Sequence, residues 1–450
     1  MGSESSSMTQ APPIYETYAR RFRELEAARR EPEWLMGLRR EALGRFLDLG
    51  FPTARRGNEP WKYTDVAPIA RTPFGDPPAR PALSLDSLRR FLPWRPTWRR
   101  AVFVGGRYRP ELSHPPTAGE DVRVLPLAQA LTEEEGLLQR HLARYAGYQD
   151  DAFTALNTAL FQDGALVVVP DGAEPERPLH LVFVSPPSPE PYVHYPRLLV
   201  VLGRQARLRL VESYLGLDDG VYLTSAVREF YLGEGASLEH YHLLLEGEGA
   251  YHVGQARFYQ ERDTHLLSVF FGRGCGIGRN DVRVDLDGPG SEAYLHGLYV
   301  TTGRQHLDNY INIDHIKPHC TSRLFYRGVL DGRSHAIFGG TVYVRPGAVK
   351  TDAEQEDKNL LLSREAEVDS KPALEIYADD VKCGHGAAAG AVAEEALFYM
   401  LSRGVDPVLA QTLLIKGFAA TVLDEVRLPA LRSHLERLLV QSLPRLRTGE

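Results

Sequence analysis

The chain has 450 residues, with 52 Lys and Arg against 59 Asp and Glu and a formal net charge of −7. That length exceeds one ordinary domain and predicts two or three; a mildly acidic balance with no basic block argues against nucleic acid as a partner. No apolar run approaches the roughly 18–20 residues that cross a bilayer, and the opening MGSESSSM has no signal-peptide core. The three cysteines, Cys275, Cys320 and Cys383, form no paired motif, so the expectation is a cytoplasmic protein with reduced thiols and no membrane span.

Residues up to about Ser7 read as disordered. Helical periodicity runs from Tyr15 to Ala28 and again from Glu33 to Leu49, where Leu35, Leu38, Ala42, Phe46 and Leu49 recur at steps of three and four. Gly50 and Pro52 end the second helix. A Pro-rich connector follows from Thr72 to Pro81, then a short strand at Ala101 to Val104 and one long helical pattern from Thr132 to Phe161. From Gly164 to Gly347 the character changes to short alternating runs: Leu198–Val211, Glu229–Leu245, Ala256–Phe271, Asp281–Leu286, Ala293–Val300, Asn309–Ile316, Arg323–Leu330 and Thr341–Val344. Gly-rich turns punctuate them, which predicts an all-β body. The spacing is too irregular to declare a repeat, so pattern alone leaves sandwich, barrel and solenoid open. Helices return at Glu394–Arg403, closed by Gly404. Asp406-Pro407 then supplies an N-cap and a first-turn proline. Leu409, Leu413, Leu414, Gly417 and Phe418 form the expected apolar face of that helix; Leu431, Leu435, Leu438 and Leu439 form that of a last helix starting at Pro429.

Three segments hold residues suited to chemistry. In Cys383-Gly384-His385 the thiol and imidazole share one face if the segment is a strand. Both are competent iron ligands, and the flanking glycines allow another chain to approach closely. His240-x-His242-x3-Glu246 has the ligand spacing of a cupin metal site. A metal-dependent cupin-like enzyme is therefore the alternative function, although the glycines around it are misplaced; the bland reading is a solvated strand face. His315, His319 and Cys320 form a third cluster, with the two histidines on one strand face, and a secondary iron site there is the remaining option. Cys275 and Cys320 otherwise read as small buried hydrophobes. No GxxxxGK[ST] loop occurs, so any ATP hydrolysis belongs to a partner.

The stretch from Thr351 to Gly404, TDAEQEDKNLLLSREAEVDSKPALEIYADDVKCGHGAAAGAVAEEALFYMLSRG, resembles the C-terminal signature of the SufB/SufD family of iron–sulfur cluster assembly scaffolds. Its ADDVKCGHGAAAG form is similar to SufD rather than SufB. Cys383 is the only cysteine after Lys350, where SufB proteins carry a further one. DNYINIDHIKPHCTSRLFYRGVLDGRSHAIFGG resembles a core section of the family, and the word around Trp61-Lys62-Tyr63-Thr64 its N-terminal region. The likeness is strong from about Asn280 to Glu425 and weaker at Pro52 to Val66. SufD proteins often carry Gly-Ala-Thr after the histidine, where this chain has Gly386-Ala387-Ala388.

The resemblance implies a mainly β protein with a right-handed parallel β-helix core at 163–389. A mostly helical N-terminal region at 1–162 and a C-terminal helical region at 390–450 flank it. It further implies a non-catalytic scaffold that pairs with SufB through the β-helix. The C-terminal helices, near Leu409, Leu413, Leu414, Phe418 and Val422, would hold the SufC ATPase. His385, with Cys383 ranked second, would contribute at the SufB interface to a transient iron–sulfur cluster or iron. A reduced flavin is linked to such complexes, but no motif places one, and the resemblance leaves a homodimer open where SufB is absent.

Overall fold

The computed structural model describes residues 13–443 apart from 56, 80, 90, 94 and 118. The Ser-rich start read as disordered lies outside the described residues. Strand accounts for 39% and helix for 26%, and the strands wind into a parallel β-solenoid of about eight turns. Successive strands alternate between two sheets, so each strand pairs not with its neighbour in sequence but with the strand one coil away. This is the β-helix that the resemblance implied.

Three runs read as single strands are each two strands joined by a corner. Leu198–Val211 divides into Arg197–Leu202 and Arg207–Gly216. Glu229–Leu245 spans the end of Tyr222–Leu232 and most of Ser237–Glu246, and Ala256–Phe271 falls across Ala250–Gln260 and His265–Gly274. The corners turn because Gln205 (φ 55°), Gly235 (φ 68°) and Asp263 (φ 53°) take left-handed conformations. They stack on one another through backbone hydrogen bonds, Gln205 N–H to the Glu234 carbonyl at 2.8 Å and Gly235 N–H to that of Arg262 at 2.9 Å.

Alternate residues face the interior, where one continuous apolar cluster is joined by buried polar side chains such as Glu212, Arg228 and His240. Aromatic rings stack from coil to coil, Phe183 on Tyr214 at 5.0 Å and Phe230 on Phe258 at 4.3 Å. The outer face of each sheet is covered by helices. Pro13–Ala28, Glu33–Leu49 and Ala152–Leu160 pack over one sheet through Phe46, Phe153 and Leu156 against Leu199 and Val253. Pro407–Leu423 and Pro429–Ser442 pack over the other through Ile415, Ala419, Leu431 and Leu435 against Leu243, Val269 and Leu298.

The long helical pattern from Thr132 to Phe161 is broken into three helices, Leu127–Glu133, Glu135–His141 and Ala152–Leu160. Ala143 turns with φ 58°. Asp151 restarts the chain as an N-cap, its carboxylate accepting from Thr154 N–H at 2.6 Å. The intervening loop is tied to the solenoid by buried Glu229, which accepts from the N–H groups of Ala143, Tyr145 and Ala146 at 2.9, 2.9 and 3.0 Å. Glu229 also pairs with buried Arg197 at 2.6 Å. The Trp61–Thr64 word is a second clasp: Arg279 lies 4.1 Å from the Trp61 ring, and the Thr64 hydroxyl donates to Asp308 at 2.6 Å. No helix among the described residues is long and apolar enough to cross a membrane.

Candidate metal-ligating edge and partner-binding surface

The solenoid ends at Glu367–Ile376 in one sheet and Lys382–Gly390 in the other; each is the outermost strand of its sheet. Lys382–Gly390 pairs on one side only, with Asp352–Leu361, in a register that sets Cys383 beside Ala353 and His385 beside Gln355. Its other backbone edge is bare, an arrangement that invites pairing with another chain. Small residues keep that edge flat: a Cβ added at Gly384, Gly386 or Gly390 would meet nothing within 4 Å.

Cys383 and His385 project to the same face, the one that continues the solenoid interior, since their register partners Ala353 and Gln355 are buried. Cys383 is half-buried against the interior core, and that burial pushes its thiol pKa up, so the thiol form is favoured in the isolated chain. His385 is exposed. Both line a groove of about 620 Å³ with Asp352, Glu354, Gln355 and Glu356.

Two polar residues that sequence reasoning passed over lie on the neighbouring strand: Gln355, which lines the groove, and Asp357 two positions further on. Gln355 is buried with neither amide atom hydrogen-bonded, and Asp357 Oδ1 is likewise unpartnered. The other Asp357 oxygen accepts from Asn359 and Ser370, both at 2.7 Å. Burial raises the Asp357 carboxyl to about 6. Their signal in the sequence is faint: polar residues at alternate positions of TDAEQEDKNLL look like a solvated face until the register shows that face turned inward.

Among the described residues no group of three His, Cys, Asp or Glu is arranged to hold a metal ion. His240-x-His242-x3-Glu246 is neither a cupin site nor a solvated face. The strand belongs to a parallel solenoid, and all three side chains are buried. His240 is engaged by Glu212 at 3.1 Å and Ser268 at 3.0 Å. Glu246 accepts from the Thr224 hydroxyl at 2.7 Å and meets His252 Nδ1 at 2.9 Å. Burial first, then Arg228, drives His242 well below its ordinary pKa. The third cluster also dissolves. The strand ends at His315, which bonds Ser322 at 2.8 Å, His319 sits in a turn at φ 61°, and Cys320 is buried against Ser291 at 3.3 Å. Cys275 is buried as expected.

The C-terminal helices divide their apolar residues between two faces. Leu409 is 51% and Leu413 44% exposed, whereas Val422 is 1% exposed and packed on the solenoid. Leu414 and Phe418 lie between, partly covered. Val422 is thus turned into its own fold, away from the exposed face. The preceding helix Glu394–Ser402 buries none of its residues; Phe398 is 72% and Tyr399 61% exposed. These two aromatics were missed because a nine-residue apolar helix reads as a core element.

Comparison with known proteins places the chain. Residues 13–181 match the SufBD protein N-terminal region, and residues 187–418 match the SufBD core domain of the SUF system for iron–sulfur cluster assembly. The iron–sulfur cluster assembly protein SufD of Escherichia coli is 30% identical over 94% of this chain and 95% of its own. An iron–sulfur cluster assembly SufBD family protein of Synechocystis is 30% identical over 84% of this chain and 85% of its own. The SufD of Bacillus subtilis is 26% identical over 90% and 93%. The chain is a SufD-like member of the SufB/SufD family of iron–sulfur cluster assembly proteins.

Proposed function

We propose that this chain is the non-catalytic scaffold subunit of a SufB–SufC–SufD assembly and that it lends His385 to the nascent cluster. The observation that carries the reading is the position of His385, exposed on a one-sided edge strand whose glycines leave room for a partner. Cys383 and His385 offer two ligands at most, and an iron–sulfur cluster takes about four. The remaining ligands then come from the partner across the edge, which SufB supplies; in its absence a second copy of this chain would meet the same edge. Cys383 ranks behind His385 because its thiol must be deprotonated to bind iron.

SufC docks on the exposed apolar surface made by Phe398, Tyr399, Leu409 and Leu413, with Leu414 and Phe418 at its margin. ATP-driven closure of two SufC subunits then works through these helices on the SufB-facing edge, and cluster building draws on a population in which the ligands are opened to iron and sulfur. The cluster or its iron is cargo. No residue set points to a flavin. The three unpaired cysteines fit a reducing cytoplasm.

Co-expression with tagged SufB and SufC, followed by size-exclusion chromatography with mass determination, tests the assembly. One copy of this chain with one SufB and two SufC is the expected complex; elution of this chain alone sinks it. His385→Ala is expected to assemble normally and to impair Fe–S maturation. Full maturation in that variant would leave the chain as a structural brace, with SufB supplying every ligand.

A further inference from the structure

Gln355, on the strand paired with the His385 edge, is 1% exposed, and neither its carboxamide oxygen nor its nitrogen has a hydrogen-bond partner. Among the described residues it is the one side chain with two buried polar atoms left open. A buried amide unpaired at both ends is less favourable than an apolar residue of similar size, and such groups are rare in folded chains. Leu324, buried beside it on the preceding coil, shows that the same column accepts an apolar side chain.

Within its own sheet the register leaves few candidates for a partner. On one side of Gln355 is Leu324, which has no polar side-chain atom; on the other is His385. Along its own strand the residues that share its face are Ala353 and Asp357. Asp352, Glu354 and Glu356 alternate to the opposite face, where Arg323 engages the first two and Arg327 and Lys358 the third. Asp357 Oδ1 is the other open atom on the inner face. As an acceptor it suits the amide N–H groups, which turns the carboxamide oxygen toward His385. In-register side chains on neighbouring strands stand about 4.8 Å apart, the spacing at which Gln and Asn side chains form ladders from strand to strand.

We propose that Gln355 is a positioning residue for His385: its carboxamide oxygen accepts from one imidazole N–H and leaves the other ring nitrogen free to bind iron. This rests on the reading of His385 as a cluster ligand. In the isolated chain His385 is exposed and the bond is not made, because an exposed imidazole is served by solvent. A partner laid on the edge excludes that solvent, and the open carboxamide becomes the acceptor in register with the ring. A hydrogen bond to the non-ligating nitrogen fixes the tautomer and the ring plane of a metal-bound histidine.

The test uses the complex of this chain with SufB and SufC, purified from cells, and reads iron and acid-labile sulfide per complex. Gln355→Leu is expected to assemble with an unchanged or higher thermal midpoint, since it removes the open amide, and to lower cluster content about tenfold or more. Gln355→Glu is expected to show the opposite pattern. Its buried acid lowers the midpoint, while a carboxyl oxygen still accepts from the imidazole and keeps cluster content near that of the parent chain. A purely structural role would favour Gln355→Leu over Gln355→Glu in both readouts. Full cluster content in Gln355→Leu, with His385→Ala impaired, would overturn the proposal alone. So would loss of midpoint and cluster together in Gln355→Leu, or an assembled Gln355→Glu complex as poor in cluster as Gln355→Leu. Full cluster content in His385→Ala would overturn the reading of His385 itself, and the role of Gln355 with it.

Discussion

The middle and the last coil of the solenoid are built from the same strand pattern and meet opposite fates. Between Tyr222 and Leu286 every strand has a neighbour on both sides, and the described interior is closed. Several polar groups there pair with one another, as His240 does with Glu212 and His252 with Glu246, or clasp another element, as Glu229 does. From Glu367 to Gly390 the pattern continues, but no further coil follows, and most side chains are exposed or half-exposed. A parallel coil is stabilised by its neighbours rather than by itself. The middle is thus held for stability, whereas the end carries an unfilled pairing edge.

The largest effect is expected where the middle is broken. Glu229→Ala removes the partner of buried Arg197 and the acceptor for three backbone N–H groups. It should cost about 3–5 kcal/mol, read as a lower urea midpoint; a shift within experimental error would mean the clasp is not a stabilising element.

Asp357 stands where the two regimes meet, and its prediction concerns pH. Its folded pKa of about 6 lies above the ordinary 3.8, so ionisation opposes folding. The protonated group's contribution is complete below about pH 4 and is lost as pH rises through about 6. Asp357→Asn should therefore shrink the stability difference between pH 4 and pH 7 by up to about 3 kcal/mol. Urea titrations at a series of pH values check it, and parallel profiles for the two proteins would refute it.

At the edge, structure predicts almost no stability effect and a large functional one. Gly386→Val meets open space and should change stability by less than about 1 kcal/mol, yet block the close approach of SufB. Retained SufB binding would move the interface elsewhere. Smallest of all, Phe398→Ser in an exposed position should leave stability within about 0.5 kcal/mol and weaken SufC capture in a pull-down. Undiminished capture would remove this helix from the docking surface.

Much of this was legible in the chain itself. Gly50, Gly404 and the Asp406-Pro407 cap stop and start helices where expected because caps are local chemistry, fixed by side chains a few residues apart. The alternation after Gly164 marks strands for the same reason. The 351–404 signature carried the family and pointed to His385. What the sequence could not decide was everything set by coil-to-coil register. The steps along one inner column, His240, Ser268, Leu295, Leu324, Gln355 and His385, are unequal, so no period shows. Only stacking reveals that His240 is walled in by neighbouring coils, whereas His385, on the same column, stands at the open end. Which face of an alternating strand is buried, and whether a helix covers its own fold or offers itself to a partner, depends on contacts between distant segments, and those exist only once the chain has coiled.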